Sequence, residues 1–136
     1  METQRNCQLL LFLLVINIIS TTLHYTDNAL FVDLYPEPEW FTTAGVFATL
    51  IIMTPVGILG YWLYSKRFFW SSYFCLSFYS LTGLSSPGHY LYPMVNSISL
   101  KMHLLIWCDA FAGLGLTIFV ARSLLSLQEW RKKEVI

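Results

Sequence analysis

Apolar and polar positions along the chain separate it into four long stretches joined by short polar segments. Leu9 to Leu23 is almost wholly Leu, Ile, Val and Phe, and its helical character is predicted to run on to about Asn28. Phe41 to Tyr64, Phe68 to about Leu84 and Leu100 to about Leu124 follow. Each has about the 20 residues that a helix needs to cross roughly 30 Å of hydrocarbon. The pattern predicts an all-α, polytopic membrane protein. Its single domain holds four transmembrane helices, over about 8–28, 41–64, 68–84 and 101–124.

Between the stretches lie turn signals. Pro36 and Pro38 bracket Glu37 and stop the first helix. Ser65-Lys66-Arg67 is a cationic turn, and Ser85-Ser86-Pro87-Gly88 is a second break. Pro55 should kink the second span, with Thr54 placed to satisfy the freed backbone. Leu9 to Ile19 also has the look of a signal-peptide core, but only Ser20-Thr21-Thr22 follows, without an A-x-A-like site. The helix is therefore expected to stay.

Composition agrees with the pattern. Of 136 residues, 56% are hydrophobic and 12% charged, against about 25% charged in soluble domains. Mean hydropathy is +0.57. The formal net charge is zero, which gives no reason to expect nucleic acid as a partner. Cys7, Cys75 and Cys108 fall at or within spans and form no C-x-x-C pair, so they are read as small apolar residues.

Charge placement sets the expected orientation. Arg5, Lys66, Arg67, Arg122, Arg131, Lys132 and Lys133 fall on one side, and Lys101 alone on the other. The positive-inside rule then places both termini in the cytoplasm. The acidic loop, with Asp27, Asp33, Glu37 and Glu39, faces outward. Its plain reading is a solvated loop; the functional one is a cation-attracting mouth. Which membrane is crossed is not specified by these residues. Trp40, Tyr61, Trp62, Tyr64, Trp70 and Trp130 suit the two membrane–water boundaries.

Polar residues inside the spans carry the candidate chemistry. Asn17, Thr21, His24 and Asn28 recur at helical spacing and draw one polar face on the first span, with Ser20 and Asp27 beside it. Lipid offers such groups no hydrogen-bond partner, so they should face another helix or a cavity. Asp109 lies about 12 Å inward of Lys101 at 1.5 Å per residue. Unpaired, it would cost about 2.5–3.5 kcal/mol. Antiparallel first and fourth spans would put Asn17 level with Asp109, and His24 level with His103. Yet His103 and Asp109 differ by about 120° around the helix, so both cannot point straight at the first span.

The candidate ligand-binding residues are therefore His24, Asp27, Asn28, His103, Trp107 and Asp109. Trp107, one turn below His103, would be an apolar wall. Packing seams of small residues are expected at Gly45, Thr49, Met53 and Gly57, and at Asp109, Gly113, Thr117 and Ala121. The histidines could otherwise be register-fixing polar residues, ligands of a haem or chlorophyll, or zinc or iron ligands. Their spacing fits no metal motif, so no metal or cofactor is assigned. No GxSxG, HExxH or P-loop pattern occurs, and no catalytic residue is assigned.

Asp27 at the outer end of the first span, Pro36-Glu37-Pro38-Glu39-Trp40-Phe41, Pro55 and an aromatic third span opening Phe69-Trp70 together resemble the EXPERA membrane family over roughly the first 85 residues. That family includes sterol isomerases and the sigma-2 receptor. The resemblance implies a four-helix bundle with cytoplasmic ends and a ligand pocket. The family's second-span acid would fall near Ala48 or Thr49, where no carboxylate stands. The resemblance therefore implies binding ahead of isomerase chemistry. The expected partners are the bilayer, an amphipathic or isoprenoid-like small molecule and a membrane protein. Three functions follow: ligand binding in an outward cavity, an accessory subunit of a membrane complex, or a membrane enzyme using His and Asp as acid and base.

Overall fold

A computed structural model describes residues 2–93 and 98–131. Lys132 and Lys133 of the basic tail lie outside the described residues. The chain forms α1 (Glu2–Leu30), α2 (Thr43–Ser65), α3 (Phe69–Leu84) and α4 (Leu100–Ala121), with short 3-10 turns between them and no strand among the described residues. Thr42 caps α2 by accepting from the Gly45 amide at 3.1 Å, and Ser99 caps α4 by accepting from the Met102 amide at 3.3 Å.

Three helical stretches, Gln4–Leu30, Thr43–Ser65 and Leu100–Ser126, are long and apolar enough to cross a membrane. Only 28%, 22% and 39% of their most apolar windows are buried. Phe12, Ile19, Ile51, Phe74 and Ile118 are among many large apolar side chains left exposed. So much uncovered apolar surface suits contact with lipid rather than water. The third expected span is the short one. α3 has 16 residues, about 24 Å at 1.5 Å per residue.

α1 packs against α2 and α4, and α3 packs against α2 and α4. The polar face of α1 is thus covered by α4, the neighbour that the depth matching of the two helices supposed. One apolar core, with Leu10, Leu14, Tyr64, Leu76, Tyr79 and Leu116, fills the half near the N-terminus. A smaller one, Tyr35, Ile98, Met102 and Ile106, lies under the acidic loop.

The expected α2 seam is displaced. Gly45 meets only its own cap, and exposed Thr49 bonds back to the Gly45 carbonyl at 2.9 Å. Close approach occurs instead at Gly57, against Tyr79, and at Gly60, against Leu76. Thr54 donates to the Leu50 carbonyl at 2.8 Å, not to that of Ile51, the group Pro55 leaves free. The α4 seam does pack. A Cβ on Gly83 would lie 2.4 Å from the Asp109 carbonyl oxygen, and Thr117 bonds Ser80 at 3.0 Å. Gly83→Ala must push α3 from α4 at backbone level. It is expected to cost about 1–3 kcal/mol, read as a lower unfolding midpoint in detergent.

α4 ends in a wide π-turn, Arg122–Ser126, closed by the Leu127 amide on the Arg122 carbonyl at 2.9 Å. Gln128 then takes a positive φ of 45°, and the chain folds back against the bundle. This brings Glu129 inside, where it is 2% exposed. Its carboxylate accepts from Asn6 of α1 at 2.8 Å, and from Tyr64 of α2 and Ser123 at its other oxygen. Tyr73 of α3 bonds Ser123 at 2.8 Å. Tyr64, expected at a membrane boundary, is instead fully buried by this junction.

Candidate polar cavity at the acidic end

α1 supplies Asn17, Thr21, His24 and Asn28, all buried, to the face that α4 covers. α4 contributes Asp109, which is 0% exposed. Thr21 donates to Asp109 Oδ1 at 2.6 Å, Ser86 donates to Oδ2 at 2.8 Å, and His24 Nδ1 lies 3.0 Å from Oδ2. With two hydroxyls already donating, Asp109 is the acceptor and His24 Nδ1 carries its proton. The other ring nitrogen, Nε2, is buried with no hydrogen-bond partner among the described residues.

Asn17 does not reach Asp109; it lies 3.1 Å from Thr21. The Thr21 hydroxyl has one proton, which Asp109 takes. Asn17 Oδ1 is a second acceptor beside that hydroxyl, and the Asn17 amide nitrogen is buried without a hydrogen-bond partner among the described residues. Ser86 comes from the Ser85-Pro87 break, which is folded inward here as a 3-10 turn, Ser86–Leu91.

Above His24 a second chain of contacts begins. His89 Nδ1 donates to the Pro36 carbonyl at 3.1 Å. Its Nε2 is therefore an acceptor, and the Asn28 amide nitrogen lies 3.4 Å from it. The same nitrogen donates to Glu37 Oε2 at 3.2 Å. The His24 and His89 rings meet edge to face at 5.5 Å. Burial raises the Glu37 carboxyl above its usual range, opposed by the Asn28 bond. Burial likewise holds His89 below the ordinary imidazole value, opposed by the Pro36 carbonyl. His89 is thus neutral at pH 7, and Glu37 belongs to a buried cluster rather than a solvated loop.

These groups border a cavity of about 310 Å³. His24, Asn28, Glu37, Ser86 and His89 form its polar side, and Trp40, Phe41, Val46 and Tyr92 its apolar side.

The six expected ligand residues divide. His24 and Asn28 line the cavity, and Asp109 stands behind His24. Asp27 does not line it; it accepts from Tyr35 at 2.9 Å and from Lys101 at 2.5 Å. His103 turns away and bonds the Tyr90 hydroxyl at 2.7 Å. Trp107 stacks on Tyr90 at 6.1 Å and is 46% exposed. The angular separation on α4 explains this: with Asp109 facing α1, His103 and Trp107 rotate out of the site. Glu37, Ser86 and His89 take their place. Among the described residues no group of three or more His, Cys, Asp or Glu is placed to hold a metal.

No family model matches the chain, and neither a curated protein nor a solved structure matches it.

Proposed function

We propose that this chain is a four-helix integral membrane protein, with cytoplasmic termini, whose outward cavity binds a small amphipathic ligand. The observation that carries the reading is the 310 Å³ cavity with a polar and an apolar side, at the low end of the roughly 300–1,000 Å³ usual for small-molecule sites. Among the described residues, Lys101 is the one Lys or Arg at this acidic end. Arg5, Lys66, Arg67, Arg122 and Arg131 all belong to the opposite end, which supports the orientation. α3, extended by its flanking turns, would be the fourth crossing. The EXPERA resemblance remains part of the proposal. Pro38, Trp40 and Phe41 of its loop motif, and Thr49, where the family's acid would fall, all border the cavity.

The test fills the cavity. Thr49→Trp places an indole in it from an exposed helix position. Small molecules extracted from the purified protein should drop at least several-fold in the variant, by mass spectrometry. The same species at the same occupancy in both proteins would overturn the reading.

The His24–Asp109 pair favours a second reading, acid–base chemistry. Asp109 fixes the tautomer, and Nε2 is left as a base beside the cavity. Turnover of a bound molecule that His24→Gln abolishes while retaining its binding would select this reading.

A further inference from the structure

At the end of the bundle away from the cavity, the Glu129 carboxylate fixes where the cations lie. Its donors are Asn6 of α1, Tyr64 of α2 and Ser123 beyond α4. Each stands close to a Lys or Arg in the chain. Arg5 precedes Asn6, Lys66 follows Tyr64 by two residues, Arg122 precedes Ser123, and Arg131 follows Glu129 by two. Arg5, Lys66, Arg122 and Arg131 are all exposed, whereas Glu129 is buried. One buried carboxylate therefore draws cations from separate parts of the chain to one region of the surface.

A second contact orients that region. Trp130 donates its indole N–H to the Leu124 carbonyl at 3.1 Å, and its ring meets Trp70, at the start of α3, at 5.2 Å. The Arg131 guanidinium lies over the Trp130 ring, 4.5 Å from its centroid, and bonds Gln128 Oε1 at 3.1 Å. The Tyr64–Glu129 bond and the Trp70–Trp130 contact thus pin the Glu129–Arg131 turn on both sides of the Lys66-Arg67 turn.

Among the described side chains, Lys66, Arg122 and Arg131 pair with no carboxylate, and Glu129 is the one acid at this end. In the sequence Glu2 and Glu134 are the other acids near these positions, and Lys132 and Lys133 balance them. Like charges held together repel, and an anion among them relieves the repulsion. A guanidinium resting on an indole keeps its N–H edge for phosphate oxygens. Indoles favour the membrane–water boundary, the level of lipid headgroups. A choline head carries its own cation and has no net charge to offer.

We infer that this end of the bundle, cytoplasmic in the orientation proposed above, binds a phospholipid headgroup carrying more than one net negative charge, its phosphates among Arg5, Lys66, Arg122 and Arg131 and its glycerol edge against Trp70 and Trp130. Clusters of cations at the cytoplasmic surface recognise such lipids. The site is separate from the cavity and does not depend on what the cavity holds.

The experiment titrates the protein, in a neutral maltoside detergent, with dioctanoyl lipids and reads Kd by native mass spectrometry. Phosphatidylinositol 4,5-bisphosphate should bind about tenfold or more tighter than phosphatidylserine, with phosphatidylcholine weakest. Arg122→Gln and Arg131→Gln change exposed residues, and each should weaken the bisphosphate about fivefold while leaving phosphatidylcholine unchanged. Glu129→Ala separates gathering from net charge. Loss of a negative charge alone would tighten anion binding, whereas release of the fold-back should weaken the bisphosphate about fivefold or more in the folded fraction. A bisphosphate that binds wild type no tighter than phosphatidylserine overturns the inference without any variant. Free inositol 1,4,5-trisphosphate that matches the lipid overturns the lipid as its source. A Glu129→Ala protein that binds the bisphosphate as tightly as wild type, or more tightly, overturns the part given to Glu129.

Discussion

Asp109→Ala is expected to lower stability by about 2–4 kcal/mol, the scale of taking one buried acceptor from several donors. The loss comes from what remains. Thr21, Ser86 and His24 all aim donors at the carboxylate, and its removal leaves Thr21 and Ser86 only their longer contacts to Asn17 at 3.1 Å and the Thr82 carbonyl at 3.3 Å and takes the acceptor from His24 Nδ1. Asp109→Asn separates stability from ligand chemistry. An amide can present its oxygen to only some of these donors. Where its NH2 faces His24, the ring must shift its proton to Nε2. The variant should fold with a smaller loss and retain several-fold less of any small molecule that co-purifies with the wild type. Unfolding midpoints in detergent and mass spectrometry of extracted small molecules check the two effects. An Asp109→Ala protein as stable as the wild type would sink this account of how α1 and α4 are joined.

Glu129→Ala is expected to cost roughly 2–4 kcal/mol, since it leaves the donors on Asn6, Tyr64 and Ser123 buried without their acceptor. The cavity is at the opposite end, so its small-molecule content in the folded protein should stay within about twofold of wild type. Glu129→Gln keeps an acceptor oxygen and should recover much of the loss. Protease cutting after Arg122 or Arg131 measures release of the fold-back directly. It should rise in the Ala variant and stay near wild type in the Gln variant.

How these sites relate to the sequence depends on what helical periodicity carries. It carries azimuth and depth along one helix, so Thr21, His24 and Asp109 were legible as a meeting of α1 and α4. The register differs by about a turn: Asp109 meets Thr21 and His24, not Asn17. Where two residues of one helix compete for one direction, spacing shows the conflict but not the winner. The outcome for His103 and Trp107 needed the packing of Tyr90. Loop residues carry no such period. Glu37, between two prolines, looked solvated, and it is held inside by Asn28 and by the burial of Tyr35 and Pro36. Ser86 and His89 were hidden in the same way by a turn signal. Glu129 sits in a run that reads as a basic tail, and only the reversal at Gln128 makes it a core residue.

The π-turn at Arg122–Ser126 makes this end of the bundle depend on how tightly five residues are wound. An i→i+5 turn takes up one residue more than an α-helical turn, so five residues here wind about as far as four would at roughly 100° each. Rewound at ordinary α pitch with the same count, the stretch would overwind by most of one residue's step and deliver Glu129 to the wrong side of the helix with every side chain still present. This short stretch thus sets the chain's phase before its final return.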